Sequence, residues 1–537
     1  MITRRRLVAF CVVLAAVLPY LPTLDDYFVQ DDFGVVSLLS TKPAGYFPRW
    51  FISPWMDDIW GDPPDEIRPF PAVTYQIAAL PGAGSPVANH AINIGFHAIN
   101  ALLVLRIGET AAGLPLGPAA LAAVLFAILP MQTESVAWVT GRVDSMPACF
   151  YLLSFLLYER WRARGRASLY IWSVIACFVA LFTKQNAVTL PAALILYDAI
   201  VARHPVRPSW NWIRPYVPFV LLTAGYLALR YVLFGEVARE SSLNEVRLQL
   251  FLDNVSVHLK RMVFGEAGVA LSNLNALVRV GAGAAIVGAV ATFARDYTRA
   301  MIRPALYFLV VWVALGLAPT LVAGYGSPRH MYLASVGWAL SLSIALGAFW
   351  HARAGRLDWT MKAIGGVFAT AVLVMYGSQL RAEVRLWGIR SEVSHRIVRD
   401  LEREATSAPR GSLLLVDPPP RSWNFALPFA LRPPFTREDL PSRVLVISHS
   451  SIHCCASNYW EPYTRRTVRT WLEDSTRPPI IALRWDPDTG ALFRLSESDD
   501  PFLRTVVATL LDTPDVTTLD RLILNITRRM VVREVER

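Results

Sequence analysis

Lysine is almost missing from this chain of 537 residues: Lys42, Lys184, Lys260 and Lys362 are the only four among 52 basic residues. Arginine carries nearly all the positive charge, a usage expected of a GC-rich bacterial genome. Cysteine is scarce as well, five in all. None stands in a C-x-x-C or zinc-type spacing, so the adjacent Cys454 and Cys455, which follow His453, are not read as a metal site. Cys11, Cys149 and Cys177 lie in apolar runs, where a free thiol behaves as a small buried hydrophobe. Basic patches interleaved with stacking aromatics are also lacking. The net charge of +10 therefore does not point to nucleic acid. The basic residues sit instead in short segments between apolar runs, where positive charge orients helix ends towards the cytoplasm.

What is abundant is apolar surface. Hydrophobic residues make up 54% of the chain, Trp occurs 17 times, and the mean hydropathy is +0.37. Apolar runs cover residues 7–24, 119–130, 171–182, 305–323 and 331–350. About 20 such residues let a helix cross the ~30 Å hydrocarbon layer. The expectation is a mainly α, polytopic transmembrane bundle of about 11 helices over residues 1–380, followed by a small α/β domain over 381–537. The first run, preceded by Arg4, Arg5 and Arg6, has the flanks of a signal peptide. No small-residue cleavage site ends it and acidic sequence follows, so it is read as a retained helix.

Helix one, 7–24, leads to a long outer loop at 25–86. This loop is rich in Pro, Trp and acid: Asp25, Asp26, Asp31, Asp32, Asp57, Asp58, Asp62, Asp65 and Glu66. Residues 46–60 within it read as short interfacial helices. Further helices are expected over 87–107, 119–130, 136–161, 168–182, 187–201, 215–234, 277–294, 305–323, 330–350 and 363–380. The inner turns carry Arg160, Arg162, Arg164 and Arg166, then Arg203, Arg207 and Arg214, then Arg295, Arg299 and Arg303, then Arg353, Arg356 and Lys362. That alternation places the N-terminus in the cytoplasm of a bacterial inner membrane and the C-terminal domain in the periplasm. Within that domain, 412–416, 443–447 and 479–483 read as strands. Residues 485–495 read as a hairpin turning at Asp486 to Gly490, and 501–511 and 519–529 as amphipathic helices.

Ionisable side chains at membrane depth are costly and therefore informative. On this topology Asp31, Asp32, Arg68, Glu134, Arg142, Asp144, Lys184, Arg329 and His330 all fall at or near outer helix ends. Each alone reads as a snorkelling or interfacial residue; their convergence on one side is the signal. Two adjacent carboxylates near a low-dielectric surface push one pKa upward, which suits a general base. Asp31 and Asp32 also read as a solvated acidic turn or helix cap. His90, Asn93, His97 and Asn100 form a polar stripe on the second helix, either as interhelical hydrogen bonds or as substrate lining. A two-histidine metal site there lacks a carboxylate. Glu134, Trp138 and Arg142 recur at steps of four, as along one helical face, with Arg142 about two turns in. A buried arginine needs an anionic partner: Asp144, Glu134 or a phosphate. Lys184 and Arg329 add positive charge at that level, suiting an anionic group whose departure is assisted as a carboxylate deprotonates an acceptor.

Five groups of residues together carry a resemblance. They are Gln30-Asp31-Asp32-Phe33 with Arg68-Pro69-Phe70; Asn89-His90 with Asn93 and His97; and residues 129–138 running on to Gly141-Arg142-Val143-Asp144. Then come Thr183-Lys184-Gln185-Asn186 through Pro191, and Arg329-His330-Met331-Tyr332 through Gly337. In this order, over about residues 25–350, the chain resembles the GT-C integral-membrane glycosyltransferases. The branch is that of protein O-mannosyltransferase-like enzymes whose relatives carry tetratricopeptide repeats. The resemblance implies a polyprenyl- or dolichyl-phosphate-linked monosaccharide donor and an inverting transfer to a protein or glycan hydroxyl on the outer face. It makes Asp31 or Asp32 the base, and Arg142, Lys184 and Arg329 candidates for the donor phosphate. No cofactor is required, and no residue set supports a divalent metal. Two departures stand out. Gln185 occupies a position where the family often has Glu, and the C-terminal part has no tetratricopeptide repeat. A lipid-linked-sugar transporter or flippase would show inverted repeats and broken helices at matching positions, and no such symmetry is read. An inactive scaffold remains the other alternative, prompted by Gln185.

Overall fold

The computed structural model describes residues 2–55, 66–82, 84–204, 209–237, 248–265, 299–322, 326–351, 358–417, 427–448, 457–476, 478–498 and 508. The helix expected over 277–294 lies outside them, as do Asp57, Asp58, Asp62, Asp65, Cys454 and Cys455. The helices expected over 501–511 and 519–529 do too, but for residue 508. The chain divides into two compact units. The first holds Met1–Leu24, Ile67–Pro71 and His90–Leu386; the second holds Asp25–Glu66, Ala72–Asn89 and Trp387–Arg537. The acidic loop therefore groups largely with the C-terminal region rather than with the helical bundle that precedes and follows it in sequence.

The chain is a multi-pass membrane protein. Among the described residues six helices are long and apolar enough to span a bilayer, or seven if one bent pair counts as a span. They include Pro86–Thr110, Val217–Phe234 and Pro328–Gly347, close to the expected positions. In the first unit the helix Arg142–Arg164 pairs with Ala167–Leu181 as a hairpin. Ser154 Oγ donates to the Ser173 carbonyl and Ser173 Oγ to the Ser154 carbonyl, both at 2.7 Å. Such reciprocal bonds join helices where lipid offers no hydrophobic drive. Close approach elsewhere depends on Gly337, where a Cβ would come 2.6 Å from the Phe308 carbonyl oxygen.

The expected continuous helix over 136–161 is corrected. Leu116–Ile128 bends by 52° into Pro130–Ala137, and the helix resumes only at Arg142. Trp138 is extended, with φ −82° and ψ 129°. A Cβ on Gly141 would lie 2.1 Å from the Glu134 carbonyl oxygen, so glycine is what lets the chain fold back on itself here. Arg142 therefore opens its helix instead of lying two turns inside, and Glu134, Trp138 and Arg142 do not share a helical face.

The helix expected over 363–380 also differs: it belongs to one helix of 50 residues, Asp358–Ser407. Residues 381–407 contain no proline, and they bury Val384, Trp387, Ile397, Val398, Leu401 and Ala405 at helical spacing. At 1.5 Å per residue the whole helix is about 75 Å long, so only part of it has membrane length.

Among the described residues of the second unit, four strands form a sheet in the spatial order second, first, third, fourth along the chain. They are β1 (Leu413–Asp417), β2 (Leu445–Ser448), β3 (Ile480–Asp486) and β4 (Ala491–Ser498). β1 runs parallel to β2, with Leu413 opposite Leu445, and parallel to β3, with Leu413 opposite Ile480. Leu413–Val416 and Ile480–Leu483 are buried throughout, the unbroken apolar pattern of parallel strands covered on both faces. β3 and β4 form the expected hairpin. Asp486 closes its turn by accepting the Asp488 and Thr489 amides, and Gly490 takes φ 63°.

Candidate active site

In the first unit three separated segments bring ionisable groups into one network. Asp144, in the first turn of Arg142–Arg164, accepts a hydrogen bond from Lys184 Nζ through Oδ1. Lys184 sits just after Ala167–Leu181, at the entry to the 3-10 turn Gln185–Thr189. His330 lies on the turn Pro328–Met331, its Nδ1 3.3 Å from Lys184 Nζ and 3.8 Å from Asp144 Oδ1. Arg329 Nε is 3.6 Å from Asp144 Oδ2. Its Nη1 donates to Glu134 Oε1 at 3.0 Å, and its guanidinium lies 4.7 Å from the Trp138 ring centroid. Glu134 Oε2 also accepts from Ser327 Oγ and from the Arg329 amide, so one carboxylate fixes both the Arg329 side chain and its backbone.

The network is graded in exposure. The Asp144 and Lys184 side chains are 2% and 5% exposed, whereas Arg329 is 25% exposed and Glu134 20%. Arginine thus forms the accessible rim over a buried ion pair. Burial pushes the Lys184 ammonium below the ordinary lysine range, and the Asp144 carboxylate opposes that shift; the Arg68 charge adds to it. Arg142 is fully buried, its Nε donating to the Val139 carbonyl at 3.2 Å. Of the six side chains Arg68, Glu134, Arg142, Asp144, Lys184 and Arg329, four are cationic. A small pocket beside them is lined by Asp144, Tyr151, Asn186, His330 and Tyr332, among others. Gln185 opens the 3-10 turn beside it.

The polar stripe of Pro86–Thr110 is buried and bonded to protein. Asn93 Nδ2 donates to the carbonyls of Trp138 at 2.7 Å, Val136 at 3.2 Å and Val139 at 3.3 Å. It thereby holds the folded-back segment before Arg142. His97 Nε2 lies 3.0 Å from the Ala127 carbonyl and Nδ1 2.8 Å from Tyr332 Oη. The carbonyl can only accept, so Nε2 carries the proton and Nδ1 accepts from the tyrosine. Asn100 Nδ2 donates to Tyr332 Oη at 3.1 Å and to the Ser145 carbonyl at 2.8 Å. His90 is buried in the same helix. For Asn93, His97 and Asn100 the interhelical-bonding reading describes what these atoms do.

Asp31 and Asp32 belong to the second unit. Gln30 takes a left-handed φ of 53°, a conformation uncommon outside glycine, and turns the chain into the helix Asp32–Leu39. Asp31 occupies the N-cap position. Asp32 is 1% exposed, and its Oδ2 accepts the Val29 amide at 3.0 Å. Asp26, four residues before Gln30, has its carboxyl pushed up to about 6 by burial and by the neighbouring Asp25. Among the described residues no group of three or more His, Cys, Asp or Glu is arranged to hold a metal ion.

Sequence reasoning missed Ser327, Tyr332 and the cation–π role of Trp138. It also missed a buried cluster elsewhere in the first unit. Asp198 accepts from Tyr158 Oη at 2.6 Å and Tyr216 Oη at 2.7 Å, and pairs with Arg162 Nη2 at 3.0 Å. A lone carboxylate in an apolar run gives no hint of partners 18 to 40 residues away.

The chain is 31% identical over 208 residues to Protein O-mannosyl-transferase Tmtc1 of Drosophila melanogaster, covering 37% of this chain and 23% of that protein. It is 28% identical over 165 residues to Protein O-mannosyl-transferase TMTC3 of Homo sapiens, covering 29% and 18%. The chain thus spans less than a quarter of the length of these relatives. The curated proteins it is similar to are the O-mannosyl-transferases expected from the motif strings. Among solved structures, ArnT from Cupriavidus metallidurans, bound to undecaprenyl phosphate, aligns with a TM-score of 0.49 at 15% identity, covering 89% of this chain and 93% of that one. No family model matches the chain.

Proposed function

We propose that the protein is a membrane glycosyltransferase that moves a monosaccharide, mannose in the first instance, from a polyprenyl-phosphate carrier to an acceptor hydroxyl with inversion. The observation that carries this reading is the network of Arg329, Lys184 and His330 about Asp144, with the half-buried Arg329 at its rim. Similarity to O-mannosyl-transferases supports it. In the proposed step the acceptor hydroxyl gives up its proton as its oxygen bonds to the sugar C1, and the resemblance, by itself, assigns that proton to Asp31 or Asp32. The C1–O bond to the phosphate breaks on the opposite side of C1, and the carrier phosphate leaves with the electron pair. Arg329 and Lys184 stabilise the charge that develops on it, the Arg329 fork by paired hydrogen bonds and Lys184 as a point charge. Arg142 and Arg68 add to the positive field, and Asp144 and Glu134 hold the cations in place. We place the transfer on the periplasmic side of a bacterial inner membrane, with the N-terminus in the cytoplasm, from the arginine-rich turns.

Separate Asp31→Asn and Asp32→Asn variants in membranes supplied with labelled polyprenyl-phosphate mannose test the base. One of them should lose transfer by about 100-fold or more, and full activity in both would remove the pair from the mechanism.

A further inference from the structure

The C-terminal region of the chain has no role in the reading above, yet it supplies the contacts that hold the acidic turn. Residues 26–29 approach Asp31 and Asp32 outside any helix or strand, so their backbone groups need partners from elsewhere. The segment Trp387–Ser407 of the long helix provides them. Ser391 Oγ accepts the Tyr27 amide, and Ser394 Oγ donates to the Phe28 carbonyl. The His395 ring stacks on Tyr27 with centroids 4.5 Å apart. Ser391, Ser394 and His395 are spaced i, i+3 and i+4, so they share one face. Gly388 lies on that face one turn earlier, where a Cβ would come 3.5 Å from Asp26 Oδ1.

A second clamp comes from beyond the helix. Phe435 meets Phe28 at 5.2 Å and Phe33 at 4.7 Å between ring centroids, both edge to face. Phe28 and Phe33 are fully buried and flank the two aspartates on either side. The left-handed Gln30 between them is a conformation that persists only when its surroundings enforce it.

We infer that Ser391, Ser394, His395 and Phe435 are positioning residues for the Asp31–Asp32 turn, so that the C-terminal region is part of the catalytic apparatus and not a separate appendage. This rests on the reading of the acidic pair as the base. The serines orient backbone, the rings fix the two flanking phenylalanines, and the carboxylates are thereby aimed. Charged and titratable groups along this face include Asp25, Asp26, Tyr27, His395, Arg399 and Glu402.

The test uses the full chain in proteoliposomes with labelled polyprenyl-phosphate mannose. It compares wild type, Ser391→Ala/Ser394→Ala, Phe435→Leu and the two aspartate variants. The expected result for the serine pair and for Phe435→Leu is a kcat lowered about 10- to 100-fold with donor KM unchanged. The acid limb of the kcat/KM profile should also move by about half a pH unit or more, a readout that a smaller folded fraction does not shift. Ser391→Thr/Ser394→Thr should restore part of the loss. If the serine and Phe435 variants match wild type in kcat and pH profile while an aspartate variant is inactive, the positioning role is wrong and the base assignment stands. If both aspartate variants transfer normally, the base reading fails and the positioning role falls with it.

Discussion

At the scale of single residues, the Asp144–Lys184 pair decides how tightly the candidate site is built. Two buried charges are individually expensive, and each is tolerable only because the other is present. Asp144→Asn would leave Lys184 beside Arg329 and Arg68 without its carboxylate partner. Lys184→Met would leave Asp144 paired only at the longer Arg329 and His330 distances. Each single change should cost about 3 kcal/mol of stability, and the double variant markedly less than the sum, read from thermal unfolding of the purified protein. Strict additivity would mean that the pair is not coupled. These residues were legible in sequence because ionisable groups beside apolar runs stand out. Asp198 was not. Its carboxylate is satisfied by two tyrosine hydroxyls, and tyrosine at a membrane edge is too common to advertise a partner.

At the scale of elements, the break between Ala137 and Arg142 positions the network. It turns Glu134 towards Ser327 and Arg329 and sets Asp144 in the first turn of the next helix. Hydropathy runs through this break without a mark, which is why a continuous helix was expected; the one local sign is Gly141. Gly141→Ala should displace the Glu134 backbone, separate Glu134 from Arg329, and lower transfer at least about tenfold, with Gly141→Ser no better. Wild-type activity in Gly141→Ala would contradict the close approach. The β-strands were easier to read, since Leu413–Val416 and Ile480–Leu483 are unbroken apolar runs, the first followed by Asp417-Pro418. The extension of the last helix to Ser407 was harder. Its apolar residues recur every three or four positions among many charges, a pattern that falls below any hydropathy threshold for a span.

At the scale of the whole molecule, apolar runs and arginine placement made the multi-pass character legible, because bilayer thickness sets helix length. The grouping of Asp25–Glu66 with Trp387–Arg537 was not legible. It is carried by contacts such as Tyr27 with Ser391, 364 residues apart, for which no periodicity exists. The central claim is transfer from a lipid-phosphate-linked sugar assisted by the Lys184–Arg329 cations. Its most direct test is a count of labelled mannose moved from polyprenyl-phosphate mannose to acceptor in proteoliposomes holding wild type or Lys184→Met/Arg329→Met. The account predicts transfer by wild type and a loss of about 100-fold or more in the double variant. Equal transfer by the two proteins, or wild-type transfer from a nucleotide sugar but from no lipid-linked donor, would contradict it.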